Sequence, residues 1–217
     1  MAKKKVMDKW KAKKWYTIMA PETFDKKEIG SLLSDEDWKL INRKIRISLG
    51  ELTQDFSQMQ NFIIFRIVKI QGTTAFTEVT GQELSKTYLK TLVRRRTDVI
   101  DMVIDSKTND GVNVRIKAVA YSQLKLTGPT KTDIRNRMAS IIKSSAENMP
   151  FSQLIQEIVF GKFSVRIFGA IKKIGPIRRV EIRKTEVKNV VEVERPAEVE
   201  EAKAPEEKEQ KQEAEKT

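Results

Sequence analysis

The stretch 97-TDVIDMVIDSKTNDGVNVRIKAVA-120 decides the fold class. Two runs rich in β-branched residues, TDVIDMVID and VNVRIKAVA, flank SKTNDG. Asp110-Gly111 supplies a position able to take positive φ, the signal of a tight hairpin turn. In the second arm Val112, Val114, Ile116 and Ala118 share one face, and Asn113, Arg115 and Lys117 share the other. A period of two with one apolar face makes a half-buried antiparallel strand. The sheet must therefore find something to cover that face.

The covering layer follows at once in the chain. Pro129 and the segment TKTD predict a helix start with a capping box from Thr130 to Asp133. Ile134, Met138, Ile141 and Ile142 recur at helical spacing. Asn148-Met149-Pro150 opens a second helix, with Phe151, Leu154, Ile155, Ile158 and Val159 inward and Gly161 at its end. FSVRIFGAIKKI and IRRVEIRKTEV read as strands again, joined at Gly175-Pro176.

Upstream, KIRISLGEL alternates Ile45, Ile47 and Leu49 with Lys44, Arg46 and Ser48, which predicts a strand. NFIIFRIVKI is apolar on both faces and reads as a central strand, turning at Gln71-Gly72 into TTAFTEV. LSKTYLKTLVRRR reads as a short helix. SDEDWKLINR offers another, capped by Ser34 with acids in its first turn, and APETFDKKEIG reads as loop and turn. The predicted architecture is α+β: an antiparallel, barrel-like β core with two or three flanking helices. Residues 17–187 form a single globular domain between a basic arm, 1–16, and an acidic tail, 188–217. That tail has almost no apolar content and is interrupted by Pro196 and Pro205, so it should be disordered.

The 217 residues carry no cysteine and no histidine. Disulfides and thiolate metal sites are thus excluded, along with the commonest general base, and a reducing cytosol is the expected compartment. No apolar run approaches the ~20 residues of a membrane span. A basic N-terminus without an apolar segment after it does not predict a signal peptide. A mitochondrial transit peptide, rich in Arg and Ser, also fits poorly, because no serine precedes Ser31. GxxxxGK[ST] and GxGxxG are absent. Asp98, Asp101 and Asp105 are the only carboxylates that suggest chemistry. Asp101 and Asp105 share a strand face about 13 Å apart, too far to act as a pair. Neither an enzyme nor a cofactor is expected.

Charge points instead to a polyanion. The formal charge is +12. Residues 194–217 hold nine Glu, four Lys and one Arg, a net of −4, so subtracting that −4 from the total leaves +16 on residues 1–193. Solubility requires a net charge of only about 2–8. Candidate RNA contacts are Lys3, Lys4, Lys5, Lys9, Lys11, Lys13 and Lys14 of the arm; Arg43, Lys44 and Arg46; Arg94, Arg95 and Arg96; Lys131, Arg135 and Arg137; Lys172 and Lys173; and Arg178, Arg179, Arg183 and Lys184. Within the arm Trp10, Trp15 and Tyr16 could stack on unpaired bases while ammonium groups meet phosphates. The alternative for Trp15 and Tyr16 is that they staple the arm to the core, since WYTIM runs straight into folded chain.

KKWYTIMAPETF, NRKIRISLGELTQDF, DSKTNDGVNVRI and IRNRMASIIKSSAENMPFSQLIQEIVFGK, taken together and in this order, resemble the archaeal and eukaryotic small-subunit ribosomal protein family called S-three-Ae. The resemblance covers about residues 5–185. Asn42 stands where the family usually has Gly, and Arg46 where it has Glu. The length and short tail resemble archaeal members. What the resemblance implies is a structural component of the small ribosomal subunit, cytoplasmic and in ribosomes, on the platform near the mRNA exit. Its implied partners are the small-subunit rRNA, neighbouring small-subunit proteins and mRNA near its exit, with no membrane. The implied fold is a barrel-like β core with flanking helices and a basic extension that folds on assembly. The alternative is a free RNA-binding translation or ribosome-assembly factor.

Overall fold

The computed structural model describes Trp10 and residues 13–188. Its strands are β1 (Lys14–Met19), β2 (Glu28–Ser34), β3 (Lys44–Ser48), β4 (Asn61–Gln71), β5 (Thr74–Leu84), β6 (Val99–Lys107), β7 (Asn113–Ser122) and β8 (Ile177–Val187). Its α-helices are α1 (Leu49–Thr53), α2 (Lys86–Leu92), α3 (Gly128–Asn148), α4 (Phe151–Val159) and α5 (Lys162–Ile171).

The hairpin of β6 and β7 is the one the opening stretch predicts. Its register runs from Val99↔Tyr121 to Lys107↔Asn113. The Gly111 N–H donates to the Thr108 carbonyl at 2.9 Å, and Gly111 adopts φ +78. Ile100, Met102, Ile104, Val114, Ile116 and Ala118 turn to one side and meet Ile134, Met138 and Ile142 of α3. β8 lies antiparallel along the other edge of β7 and adds Val180 and Ile182 to the same core.

Residues 162–171 are helical, which corrects the strand expected there. Phe163, Ile167 and Ile171 are all fully buried against the sheet. Their spacing of four is the helical repeat. The β-branched and aromatic content suggests extended chain, but a helix here buries three large side chains on one face, each worth about 1.5–3 kcal/mol. Gly161, at φ +76, makes the corner between α4 and α5.

β5 joins the two halves of the sheet. One edge pairs antiparallel with β4 along its whole length, and β3 lies beyond β4. The other edge is shared. β1 pairs with its first residues, Thr17↔Thr74 through Met19↔Phe76, and β8 pairs with Gly81, Gln82 and Glu83. The sheet is therefore open and mixed, and the barrel-like, wholly antiparallel core is not what the chain adopts. Among the described residues β2, β3 and β6 each have one neighbour, so no strand there closes the circle. β1 runs parallel to β5 because the long connection between them allows a crossover.

Smaller expectations also shift. The segment after Ser34 contains a single 3-10 turn at Asp37–Lys39, and Ser34 itself ends β2 with its hydroxyl donated to the Glu36 carbonyl. The loop read over APETFDKKEIG contains a 3-10 turn at Glu22–Phe24 and the start of β2. Helix α3 begins at Gly128, with Pro129 in its first turn and the hydroxyls of Thr127 and Thr130 2.7 Å apart. The capping box with Asp133 is therefore not formed, because the helix starts earlier than that box requires. Among the described residues five α-helices stand where two or three were expected. Of these, α3, α4 and α5 contribute to the main core, while α2 packs Leu92 on Val119 and Tyr121 of the opposite face.

Candidate nucleic-acid interface

Strand pairing gathers several basic clusters that lie far apart in sequence. β7 ends and β8 begins at the same end of the sheet, with Tyr121 opposite Arg179 and Ser122 opposite Ile177. The chain entering β6 is tied there as well. The Asp98 N–H donates to the Ser122 hydroxyl at 2.7 Å, and the Leu126 N–H donates to the Asp98 carboxylate at 2.7 Å. Arg178 donates a guanidinium N–H to the Leu92 carbonyl at 2.9 Å, which fixes the end of α2 against β8. Gln123 donates its N–H to the Pro176 carbonyl at 2.8 Å. Arg94, Arg95, Arg96, Lys172, Lys173, Arg178 and Arg179 thus share one end of the fold. The sequence reading does not single out Lys125, which lies in the exposed loop leaving β7 at this same end.

Ion pairing separates these cations. Lys131 is 3.1 Å from Asp98, whose carboxyl is held below its usual range first by the Leu126 N–H and then by Lys131. Arg179 pairs with Glu181, which also accepts from the Tyr88 hydroxyl. Burial pushes the Tyr88 phenol up to about 12. Lys184 pairs with Glu186 and lies 4.0 Å from Glu83. Their charges are largely answered within the chain. By contrast Arg94, Arg95, Arg96, Lys172, Lys173 and Arg183 are exposed and form no ion pair among the described residues. Arg96 holds φ +62, a left-handed conformation that non-glycine residues seldom adopt.

A second basic surface flanks the small core of Tyr16, Leu40, Ile67 and Ala75. Trp10 and Trp15 are 68% and 65% exposed, and the Lys13 ammonium sits 4.7 Å from the Trp10 ring centroid. Lys14 is exposed beside them. Tyr16 has the packing role instead: its ring is buried and its hydroxyl donates to Asp37, whose acceptance of that proton is the first cause of the raised Tyr16 pKa. It offers no face for a base. Arg43, Lys44 and Arg46 are exposed at the start of β3, and the Arg46 guanidinium lies 3.9 Å from the Phe62 ring centroid. Asn42 precedes them at φ +66, so the position that favours Gly is filled here by one of the residues that best tolerates positive φ.

Arg135 and Arg137 lie on the exposed side of α3, and the Arg135 Nε–H reaches the Asp101 carbonyl at 3.4 Å. They belong to neither gathering. Lys3, Lys4, Lys5, Lys9 and Lys11 lie outside the described residues, as do residues 189–217 of the acidic tail. Among the described residues no group of His, Cys, Asp and Glu could hold a metal ion, and no helix is long and apolar enough to cross a membrane.

Residues 1–190 match the Ribosomal S3Ae family. A protein of Sulfurisphaera tokodaii named small ribosomal subunit protein eS1 is 38% identical over 186 residues, covering 86% of this chain and 96% of the relative. A protein of the same name from Saccharolobus islandicus is 39% identical over 187 residues, covering 86% and 90%. Another, from Archaeoglobus fulgidus, is 39% identical over 185 residues, covering 84% and 88%.

Proposed function

The chain belongs to the ribosomal S3Ae family, and from that premise we propose that it is a structural constituent of the small ribosomal subunit, in the cytoplasm, that binds rRNA and neighbouring subunit proteins. Its work is architectural rather than enzymatic. The relatives' shared name supports the ribosomal role. The observation that supports rRNA contact is the sheet end where Arg94, Arg95, Arg96, Lys172 and Lys173 are exposed without ion-pair partners among the described residues. Cations left unanswered inside a fold are available to phosphates, and each phosphate neutralised releases a counterion.

The exposed rings of Trp10 and Trp15 beside Lys13 and Lys14 extend the reading to the arm, where those two rings would stack on unpaired nucleotides while Tyr16 stays in the core. The place on the subunit, the platform near the mRNA exit beside the 3′ end of the rRNA, rests on the family resemblance. Ultraviolet cross-linking of assembled subunits, with the joined peptides and nucleotides mapped by mass spectrometry, tests both parts. Cross-links from peptides containing residues 94–96 or 172–173 to rRNA near its 3′ end are expected. Cross-links confined to the hairpin tip at Asp110 and Gly111 would refute the assigned face. Absence of the chain from subunits would favour a free RNA-binding factor.

A further inference from the structure

A cleft of about 740 Å³ opens beside the first half of β8. Five consecutive residues of the strand, 178–182, line it. Side chains of a strand alternate between two faces. Val180 and Ile182 are buried in the helix-side core, while Arg179 and Glu181 pair on the other face. Residues of both faces border a single space only where the edge of the strand faces it. The pairing agrees. β8 bonds to β7 over nearly its whole length but to β5 only at Lys184, Thr185 and Glu186. By then β5 has ended at Leu84 and the chain has turned into α2. Residues 177–183 therefore have no strand on that side among the described residues. Alternate residues there turn both N–H and C=O into the cleft.

Another part of the wall is polar and incompletely bonded. Gln82 and Gln58 line it, and the Oε1 atoms of both are buried without a hydrogen-bond partner among the described residues. Gln82 is only 2% exposed. Phe160 and Val165, 51% and 70% exposed, border the same space. Lys162 stands beside them, exposed and without an ion pair among the described residues.

We propose that this cleft takes an extended peptide segment of a neighbouring protein, added as a strand to the free edge of β8. Main-chain groups of the segment would pair with residues 178–182. An apolar residue would cover Phe160 and Val165, and an acidic one would meet Lys162. A nucleotide fits the cleft less well. The two arginines of the wall are engaged, Arg178 with the Leu92 carbonyl and Arg179 with Glu181. A base would also leave the row of strand groups unused. The inference rests on the reading that the chain resides in the small subunit, where such a neighbour is held close.

A benzophenone amino acid at position 160, an exposed site, tests the occupant in assembled subunits, and the same probe at position 165 provides a second variant. Amide hydrogen exchange of the unmodified chain, free and in subunits, needs no variant. Cross-links to one polypeptide segment are expected, with exchange at residues 178–182 slowed by at least ~tenfold in subunits. Cross-links to rRNA would make the occupant nucleic acid and overturn the proposal. Unchanged exchange with no protein cross-link would overturn it as well. Both failures are read in subunits that contain the chain, so neither touches the ribosomal assignment, which fails only if the chain is missing from them.

Discussion

Gly81 is where the two halves of the sheet touch, and replacing it by alanine tests that junction. A Cβ built on Gly81 falls 2.1 Å from the Thr185 carbonyl oxygen and 3.1 Å from its carbonyl carbon. Non-bonded heavy atoms settle at roughly 3.5 Å, so β5 and β8 must separate by more than about 1 Å. The neighbour is backbone, and no flexible side-chain end can give way. Separation strains the ladder Gly81↔Glu186, Gln82↔Thr185 and Glu83↔Lys184, the only pairing of β5 with β8 among the described residues. Overpacking costs about 1–3 kcal/mol, and each strained ladder bond adds about 1 kcal/mol. We expect Gly81→Ala to destabilise the full chain by about 2–4 kcal/mol, a fall in Tm of roughly 5–15 °C. Gly169→Ala is the control. It lies exposed in α5, and nothing stands within 4 Å of its Cβ. Its loss of backbone entropy in the unfolded chain should leave stability equal or raised by up to ~1 kcal/mol. Denaturant titration of both variants against the parent reads the difference. Equal stability of the two variants would refute the close approach of β5 and β8.

Replacing Arg94, Arg95 and Arg96 together by alanine should weaken binding to a small-subunit rRNA fragment and flatten the salt dependence of log K by roughly 0.7–0.9 for each phosphate that is no longer neutralised. Lys184→Ala and Arg179→Ala should leave that slope unchanged, because Glu83, Glu186 and Glu181 already answer those charges; filter binding across salt concentrations compares them. Tyr16→Phe removes the hydroxyl donated to Asp37 and should lower stability by about 1–2 kcal/mol in a urea titration, with no loss if the bond is idle. Asp105 is held well below the usual carboxylate range, first by Arg115 and then by Lys188. Its folded pKa is depressed, so its contribution is present above an unfolded pKa of about 3.9 and disappears as pH falls. The gap in Tm between the parent and Asp105→Asn should therefore narrow from about pH 6 toward about pH 2, and a constant gap would contradict the pairing.

The hairpin is legible because period, turn residues and face all agree at Asp110-Gly111. α3 and α4 are legible from their spacing of apolar residues, even though the competing threonines at the start of α3 misplace its cap. α5 misleads because Phe163, Val165, Ile167 and Ile171 satisfy both periods over a short run, and the exposure of Val165 decides between them only in three dimensions. Sheet closure is not legible at all. Whether β6 meets another edge depends on long-range pairing that local residues do not encode. At the basic surface, sequence supplies the cations, and their partners only where these are local. Arg179 with Glu181 and Lys184 with Glu186 stand two apart on one strand, a pairing the period of two allows, whereas Lys131 looks like Arg94 in the sequence and only folding brings Asp98 beside it. The ring of Tyr16 and the ring of Trp15 stand side by side in sequence, yet the strand sends one into the core and leaves the other exposed.

The central claim is that this chain is a built-in part of the small ribosomal subunit. Sedimentation of a cell extract through a sucrose gradient after a moderate-salt wash, with the chain quantified against subunit rRNA, tests it most directly. One copy per small subunit, retained through the wash, is the expected result. Recovery at the top of the gradient, or well below one copy per subunit, would contradict it.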